Sequence, residues 1–246
     1  MATFVLIHGA WHGGWCWERV VPLLEERGHR AIAPDLPGLG QDRTPLRDLT
    51  LETWTRFVSG VVEGAGEPAV LVGHSRGGIV ISEVAERMPD AISSLVYLAA
   101  FLVPNEKTLG AMLALSPARP VAAGAVVMND DGISSTIEPG KVGPVFYNTT
   151  DQALQERAAR SVTPEPMMSF AAPVRTSDAR YGRVRRAYIE CLQDNAIPIE
   201  LQRLMQQTLP CDPVVTLDTD HSPFYSAPTQ LADALDGIAR GGPRAK

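Results

Sequence analysis

The segment Ala69-Val-Leu-Val-Gly-His-Ser-Arg-Gly-Gly78 sets a serine between two glycines, as Gly73-x-Ser75-x-Gly77, directly after an apolar run. A sharp strand-to-helix turn needs glycines at this spacing, because neighbouring backbones come too close for larger side chains. Such a turn lifts the serine hydroxyl out at the carboxyl edge of a sheet. It also sets the serine at a helix N-terminus, where the dipole and free N–H groups favour developing negative charge. The chemistry this permits is nucleophilic attack on a carbonyl. The pattern alone also describes an inert glycine-rich turn; a strand before it and a helix after it separate the two.

A serine hydroxyl attacks poorly until a base takes its proton, and histidine is the usual base. Five histidines compete. His29 follows a helical stretch and reads as a surface turn. His74 adjoins Ser75, so its side chain leaves in another direction. His8 and His12 lie in the first loop. His221 stands in Asp220-His-Ser-Pro-Phe-Tyr225, after the last strand and before a closing helix, the right edge to meet Ser75. Its alternative is a lone surface residue.

The acid of such a site falls between serine and histidine along the chain. Asp194 follows the run RAYIEC and precedes Ala196-Ile-Pro198. Its alternative is a helix N-cap before Pro198. Asp218 and Asp220 are too close to His221 in sequence, and Glu106 is the second choice. Two N–H donors are needed for an oxyanion. The backbone of Arg76, next after the nucleophile, is one; the backbone of Ala10, in His8-Gly9-Ala10-Trp11, is the other.

The elements that must hold these residues alternate. Phe4–Ile7, Ala31–Ala33, Ala69–Val72 and Ser94–Ala100 are short apolar runs that read as strands. Between them, Trp17, Val20, Val21 and Leu24 recur at helical spacing until Gly28, and a second helix covers Leu51–Val62. The rhythm breaks over residues 104–180, which are rich in Pro, Gly and Met and show no long strand. It resumes with a strand at Arg186–Cys191, a helix at Pro198–Gln207, a strand at Pro213–Leu217 and a closing helix marked by Leu231, Leu235 and Ile238. The expected fold is α/β. A mainly parallel sheet of about six strands carries helices on both faces, with core residues 1–103 and 181–246 and a helical cap inserted at 104–180. The last residues, GGPRAK, read as a frayed tail.

The chain has 246 residues, 45% of them hydrophobic, enough for one large core. A formal charge of −6 without a basic run leaves no electrostatic footprint for nucleic acid or an anionic membrane. Cys16, Cys191 and Cys211 are odd in number and widely spaced, against a disulfide framework or a zinc site, and point to a reducing compartment. The N-terminus lacks a signal-peptide pattern, and no apolar run approaches the ~18 residues of a membrane span. These features lead to an expectation of a cytoplasmic protein.

Three segments carry a family resemblance: HGAWHGGWCW from His8 to Trp17, GHSRGG from Gly73 to Gly78, and YIECLQDNAIP with DHSPFYSAP. The chain resembles the small α/β-hydrolases that include plant methyl-ester esterases, plant hydroxynitrile lyases and bacterial pyrethroid-hydrolysing carboxylesterases. The likeness spans nearly the whole chain, cap included. It supports Ser75, Asp194 and His221 residue by residue and implies no cofactor and no metal. The lyases carry threonine where this chain has Gly9, cysteine where it has Arg76, and lysine where it has Ser222. Those departures favour ester hydrolysis over C–C cleavage. Arg76 also departs from the esterases, which mostly have leucine or methionine there. A guanidinium so placed must be paired or reach solvent. It either binds an acidic substrate group or pairs with a structural carboxylate, and the direction of the helix favours the second.

A lipophilic pocket is expected from Trp11, Phe101, Leu102, Phe146, Tyr147 and Met168, with Met112, Met167 and Phe170 as further cap residues. Each could equally hold the cap to the sheet. The expected partner is a small hydrophobic ester. Hydroxynitrile cleavage, a cofactor-free oxygenase and a hydrolase-fold receptor are the competing readings.

Overall fold

The computed structural model describes residues 1–241, so the expected frayed tail lies almost wholly outside the described residues. In chain order the first half runs β1 (Thr3–Ile7), α1 (Val21–Glu26), β2 (Arg30–Ile32), α2 (Leu51–Glu63), β3 (Ala69–His74), α3 (Gly77–Arg87) and β4 (Ile92–Leu98). The stretch after it holds α4 (Leu109–Leu113), β5 (Val126–Met128), β6 (Ser134–Ile137), α5 (Val142–Phe146), α6 (Gln152–Ser161), β7 (Glu165–Pro166) and α7 (Met168–Ala171). The chain then returns with β8 (Arg186–Cys191), α8 (Ile199–Thr208), β9 (Val214–Leu217), α9 (Pro223–Ser226) and α10 (Pro228–Ala239).

Six strands form one parallel sheet in the order β2-β1-β3-β4-β8-β9. Its strands alternate side chains between two cores. Val5, Ile7 and Leu71 enter one with Trp54, Ile79 and Leu201; Phe4, Leu6, Val70 and Val72 enter the other with Trp17, Leu24, Leu231 and Leu235. Helices α2, α3 and α8 cover the first face, and α1 and α10 the second. Burial on both faces explains why these strands read as continuous apolar runs. The chain leaves β1 for one edge and returns to β3 on its other side. The carboxyl ends of β1 and β3 therefore flank a switch point, where open α/β sheets place their sites.

Most expected elements lie within two residues of where the sequence puts them. The expected strand Ser94–Ala100 shifts to Ile92–Leu98, since Ala99 turns to φ +41°. The expected first helix splits into a 3-10 turn at Gly14–Trp17 and α1. Besides short helices, the stretch 104–180 holds a three-stranded antiparallel sheet, β5-β6-β7. His29 is not a surface residue. It is buried, with Nε2 2.7 Å from Asp236 and Nδ1 accepting from the Ala2 amide. Among the described residues no helix is long and apolar enough to cross a membrane.

Candidate active site

Ser75 follows β3 with φ +54°, in the left-handed region that a non-glycine residue seldom adopts. The turn that strains it closes only on glycines. A Cβ at Gly73 would stand 2.8 Å from the Gly77 carbonyl oxygen, and one at Gly78 would stand 2.2 Å from that of Phe101. The Ser75 backbone is fixed to the neighbouring strand end: its amide donates to Leu98 O and its carbonyl accepts from Phe101 N.

Asp194 lies in the loop after β8 and His221 in the loop after β9. His221 Nδ1 and Asp194 Oδ2 are 2.7 Å apart, and both side chains are almost fully buried. A carboxylate only accepts, so the Nδ1 proton sits on this side and leaves Nε2 as the basic nitrogen. The same aspartate also makes the loop. Its Oδ1 accepts from the Ala196 and Ile197 amides at 2.7 and 2.8 Å, and Gln202 donates to Oδ2 at 3.1 Å. Glu106, the second-choice acid, is exposed and has no part here. Ser75 Oγ makes no side-chain hydrogen bond among the described residues. In unliganded sites the serine–histidine bond is often long and tightens on substrate.

Both flanks of His221 are anchored. His74 Nε2–H donates to the His221 carbonyl at 2.8 Å, with the two rings 4.5 Å apart. The buried Asp220 accepts from the amide and hydroxyl of Thr149, the hydroxyls of Thr150 and Ser226, and the amide of Ser222. It thus ties the histidine loop to the segment between α5 and α6.

His8 and His12 brace the first loop. His8 Nδ1–H donates to Gly9 O at 2.9 Å, and its Nε2 accepts from the Leu36 amide. His12 Nδ1–H donates to Ala10 O at 2.7 Å, and its Nε2 accepts from the Tyr147 hydroxyl. Burial lowers His12 to about 4 and holds His8 and His74 well below the usual imidazole range, so all three stay neutral at pH 7. Ala10 and Arg76 are buried residues, and neither backbone amide donates to a protein acceptor among the described residues. Unpaired buried amides are rare, and these two beside Ser75 fit an oxyanion.

The Arg76 side chain turns away from the cavity. Nε donates to Glu165 Oε1 at 3.0 Å, Nη2 reaches Glu165 Oε2 and Gly9 O, and the guanidinium carbon stands 4.2 Å over the Trp54 ring. Burial pulls the guanidinium below its ordinary range, and Glu165 opposes that pull.

A cavity of about 400 Å³ opens at Ser75. Trp11, Phe101, Phe146 and Phe170 supply aromatic walls, Ala196 and Ile197 one flank, and residues between Leu113 and Val126 the roof. Of the expected lining, Leu102, Tyr147 and Met168 do not line it. Leu102 and Tyr147 are fully buried, Tyr147 being the partner of His12, and Met168 packs against the first core. Met112 is also core. Sequence reading missed Glu165 and the small residues Ala118, Ala122 and Ala123 of the roof. A buried arginine demands a carboxylate, but nothing in the sequence says which one.

A serine on a strained turn, an imidazole held by a carboxylate, two amides without protein acceptors and an apolar cavity are the parts that acyl transfer uses. A family model described as the alpha/beta hydrolase family matches residues 4–234. The chain is 35% identical over 252 residues to a pyrethroid hydrolase of Sphingobium wenxiniae, covering 97% of this chain and 88% of that protein. It is 32% identical over 252 residues to methylesterase 1 of Arabidopsis thaliana, covering 96% and 95%. A solved pyrethroid hydrolase from Sphingobium faniae superposes with a TM-score of 0.87 at 31% identity over 97% of both chains. Sheet order, nucleophile turn and whole-length sequence similarity agree: the chain belongs to the alpha/beta hydrolase family.

Proposed function

We propose that the protein is a serine carboxylesterase that cleaves hydrophobic esters through an acyl-enzyme. The observation that carries this reading is the buried 2.7 Å contact of His221 Nδ1 with Asp194 at the sheet edge that presents Ser75. Ser75 Oγ attacks the ester carbonyl as its proton passes to His221 Nε2. Asp194 stabilises the imidazolium, and the oxyanion rests on the Ala10 and Arg76 amides. The C–O bond to the alcohol breaks, and His221 returns the proton to the leaving oxygen. Water then gives a proton to His221 and attacks the acyl carbon; the bond from that carbon to Ser75 Oγ breaks, His221 returns the proton to Oγ, and the acid leaves. The chain's own groups suffice for every step, and the apolar cavity walls match a lipophilic acyl or aryl group. Residues 104–180 act in this reading as a cap over the core of 1–103 and 181–246.

Space supports hydrolysis over cyanohydrin cleavage. A Cβ at Gly9 would lie 2.8 Å from Ser75 Cβ, so the threonine of the lyases does not fit this loop as it stands. The test is a panel of p-nitrophenyl and aryl methyl esters, with Ser75→Ala beside the parent. Turnover abolished in a folded variant is expected. Undiminished turnover would remove Ser75 from the mechanism.

A further inference from the structure

The Arg76 and Glu165 side chains join three segments distant in sequence: the nucleophile turn, the first loop and β7. Two of their contacts bear on the peptide planes that flank Ala10, one on each. In the Gly9–Ala10 peptide the carbonyl and the N–H point in opposite directions, because the bond is trans and planar. Gly9 O is held by Arg76 Nη2 at 3.1 Å and by His8 Nδ1 at 2.9 Å. Fixing that oxygen fixes the opposite direction of the Ala10 N–H. In the next peptide, Ala10 O is held by His12 and the Trp11 amide donates to Glu165 Oε2 at 3.2 Å. Trp11 has φ +61°, unfavourable for a bulky side chain, and persists only where its surroundings hold it. Ser169 Oγ donates to Glu165 Oε1, completing the carboxylate's partners.

From this geometry we propose that Arg76 and Glu165 are positioning residues that aim the Ala10 amide at the oxyanion, a role that rests on the esterase reading. Arg76 then serves both donors: its own amide is one, and its side chain sets the direction of the other. The pair also makes that direction depend on the docking of β7, so a shift of the segment 104–180 is felt at the reacting carbonyl.

A purely structural ion pair and a positioning one respond differently to apolar replacement. A buried pair exchanged for packed apolar residues commonly leaves stability unchanged or raised. Arg76→Leu/Glu165→Leu, Arg76→Leu and Glu165→Gln are the variants, measured for kcat, KM, melting temperature and amide hydrogen exchange of the peptide covering His8–His12. The double variant is expected to stay folded, with KM within about twofold and kcat lower on the order of 10- to 100-fold, the scale of a misaimed catalytic group. Exchange at Trp11 and its neighbours rises in all three variants. A double variant with parental kcat, or with unchanged exchange, overturns the proposal. If the parent chain cleaves no ester, the esterase reading fails, and the exchange alone decides whether the pair holds the loop.

Discussion

Asp194 offers one carboxylate oxygen to His221 and the other to the amides of Ala196 and Ile197. One residue therefore builds its own loop and orients the imidazole. The alternative reading of Asp194 as a helix N-cap does not hold, since α8 is capped at Pro198 without a side-chain bond and the aspartate instead accepts from loop amides ahead of that helix. In Asp194→Asn the amide oxygen can still serve Ala196 and Ile197, but the amide nitrogen faces His221 Nδ1. The ring then carries its proton on Nε2 and cannot act as base. kcat is expected to fall on the order of 10³- to 10⁴-fold with the fold retained. A loss below tenfold would show that His221 is oriented by something else.

Gly9 is the tightest point of the first loop. An alanine there meets Ser75 Cβ at 2.8 Å and His74 Nδ1 at 2.9 Å. His74 is fully walled in, so it cannot yield cheaply. Gly9→Ala should destabilise by about 1–3 kcal/mol, the usual range for overpacking. Turnover measured well below the unfolding temperature should fall more than stability does. Parental turnover would mean that the loop has slack the geometry denies.

Three buried neutral histidines make the fold acid-sensitive. The unfolded chain takes up these protons near pH 6.5, whereas folded His12 takes its own only at about pH 4. His8 and His74 are lowered in the same direction. Folded-state pKa values below the unfolded ones mean that the unfolded state binds more protons as pH falls. Stability is therefore complete above pH 6.5 and declines as pH drops towards 4, by up to about 1.4 kcal/mol per pH unit for each histidine. Denaturant unfolding at pH 7.5, 6.5 and 5.5 measures the slope. His12→Gln should flatten it; stability constant down to pH 5 would contradict the neutral assignment.

The roof of the cavity sets the size of the substrate. Ala122 is one of its lining residues. In Ala122→Phe, kcat/KM for p-nitrophenyl octanoate should drop on the order of tenfold relative to the acetate, as lost apolar space costs the longer chain more. An unchanged ratio would place the acyl group elsewhere.

What the sequence made legible follows from the reach of each signal. Strand β8 matches the expected Arg186–Cys191 residue for residue, because a strand buried on both faces announces itself as an apolar run between turns. Ser75 was legible because the steric demand of its turn writes glycines into adjacent positions. Strands β5, β6 and β7 have 3, 4 and 2 residues, too few for any period to show. Glu165 was invisible for a related reason: its partner is 89 residues away, and no local pattern marks a carboxylate that meets an arginine only after folding. Leu102 and Phe101 show the limit for pockets. They are adjacent apolar residues just beyond the end of β4 and both pack in the first core, yet only Phe101 also reaches the cavity.

The account stands on Ser75 as the attacking group, and a covalent adduct tests that most directly. An aryl phosphonate ester incubated with the protein should add one phosphonyl group per chain. Peptide mapping by mass spectrometry should place it on the peptide containing Ser75, and labelling and ester turnover should disappear together. An adduct on another residue, or ester cleavage that survives complete labelling of Ser75, would contradict the account.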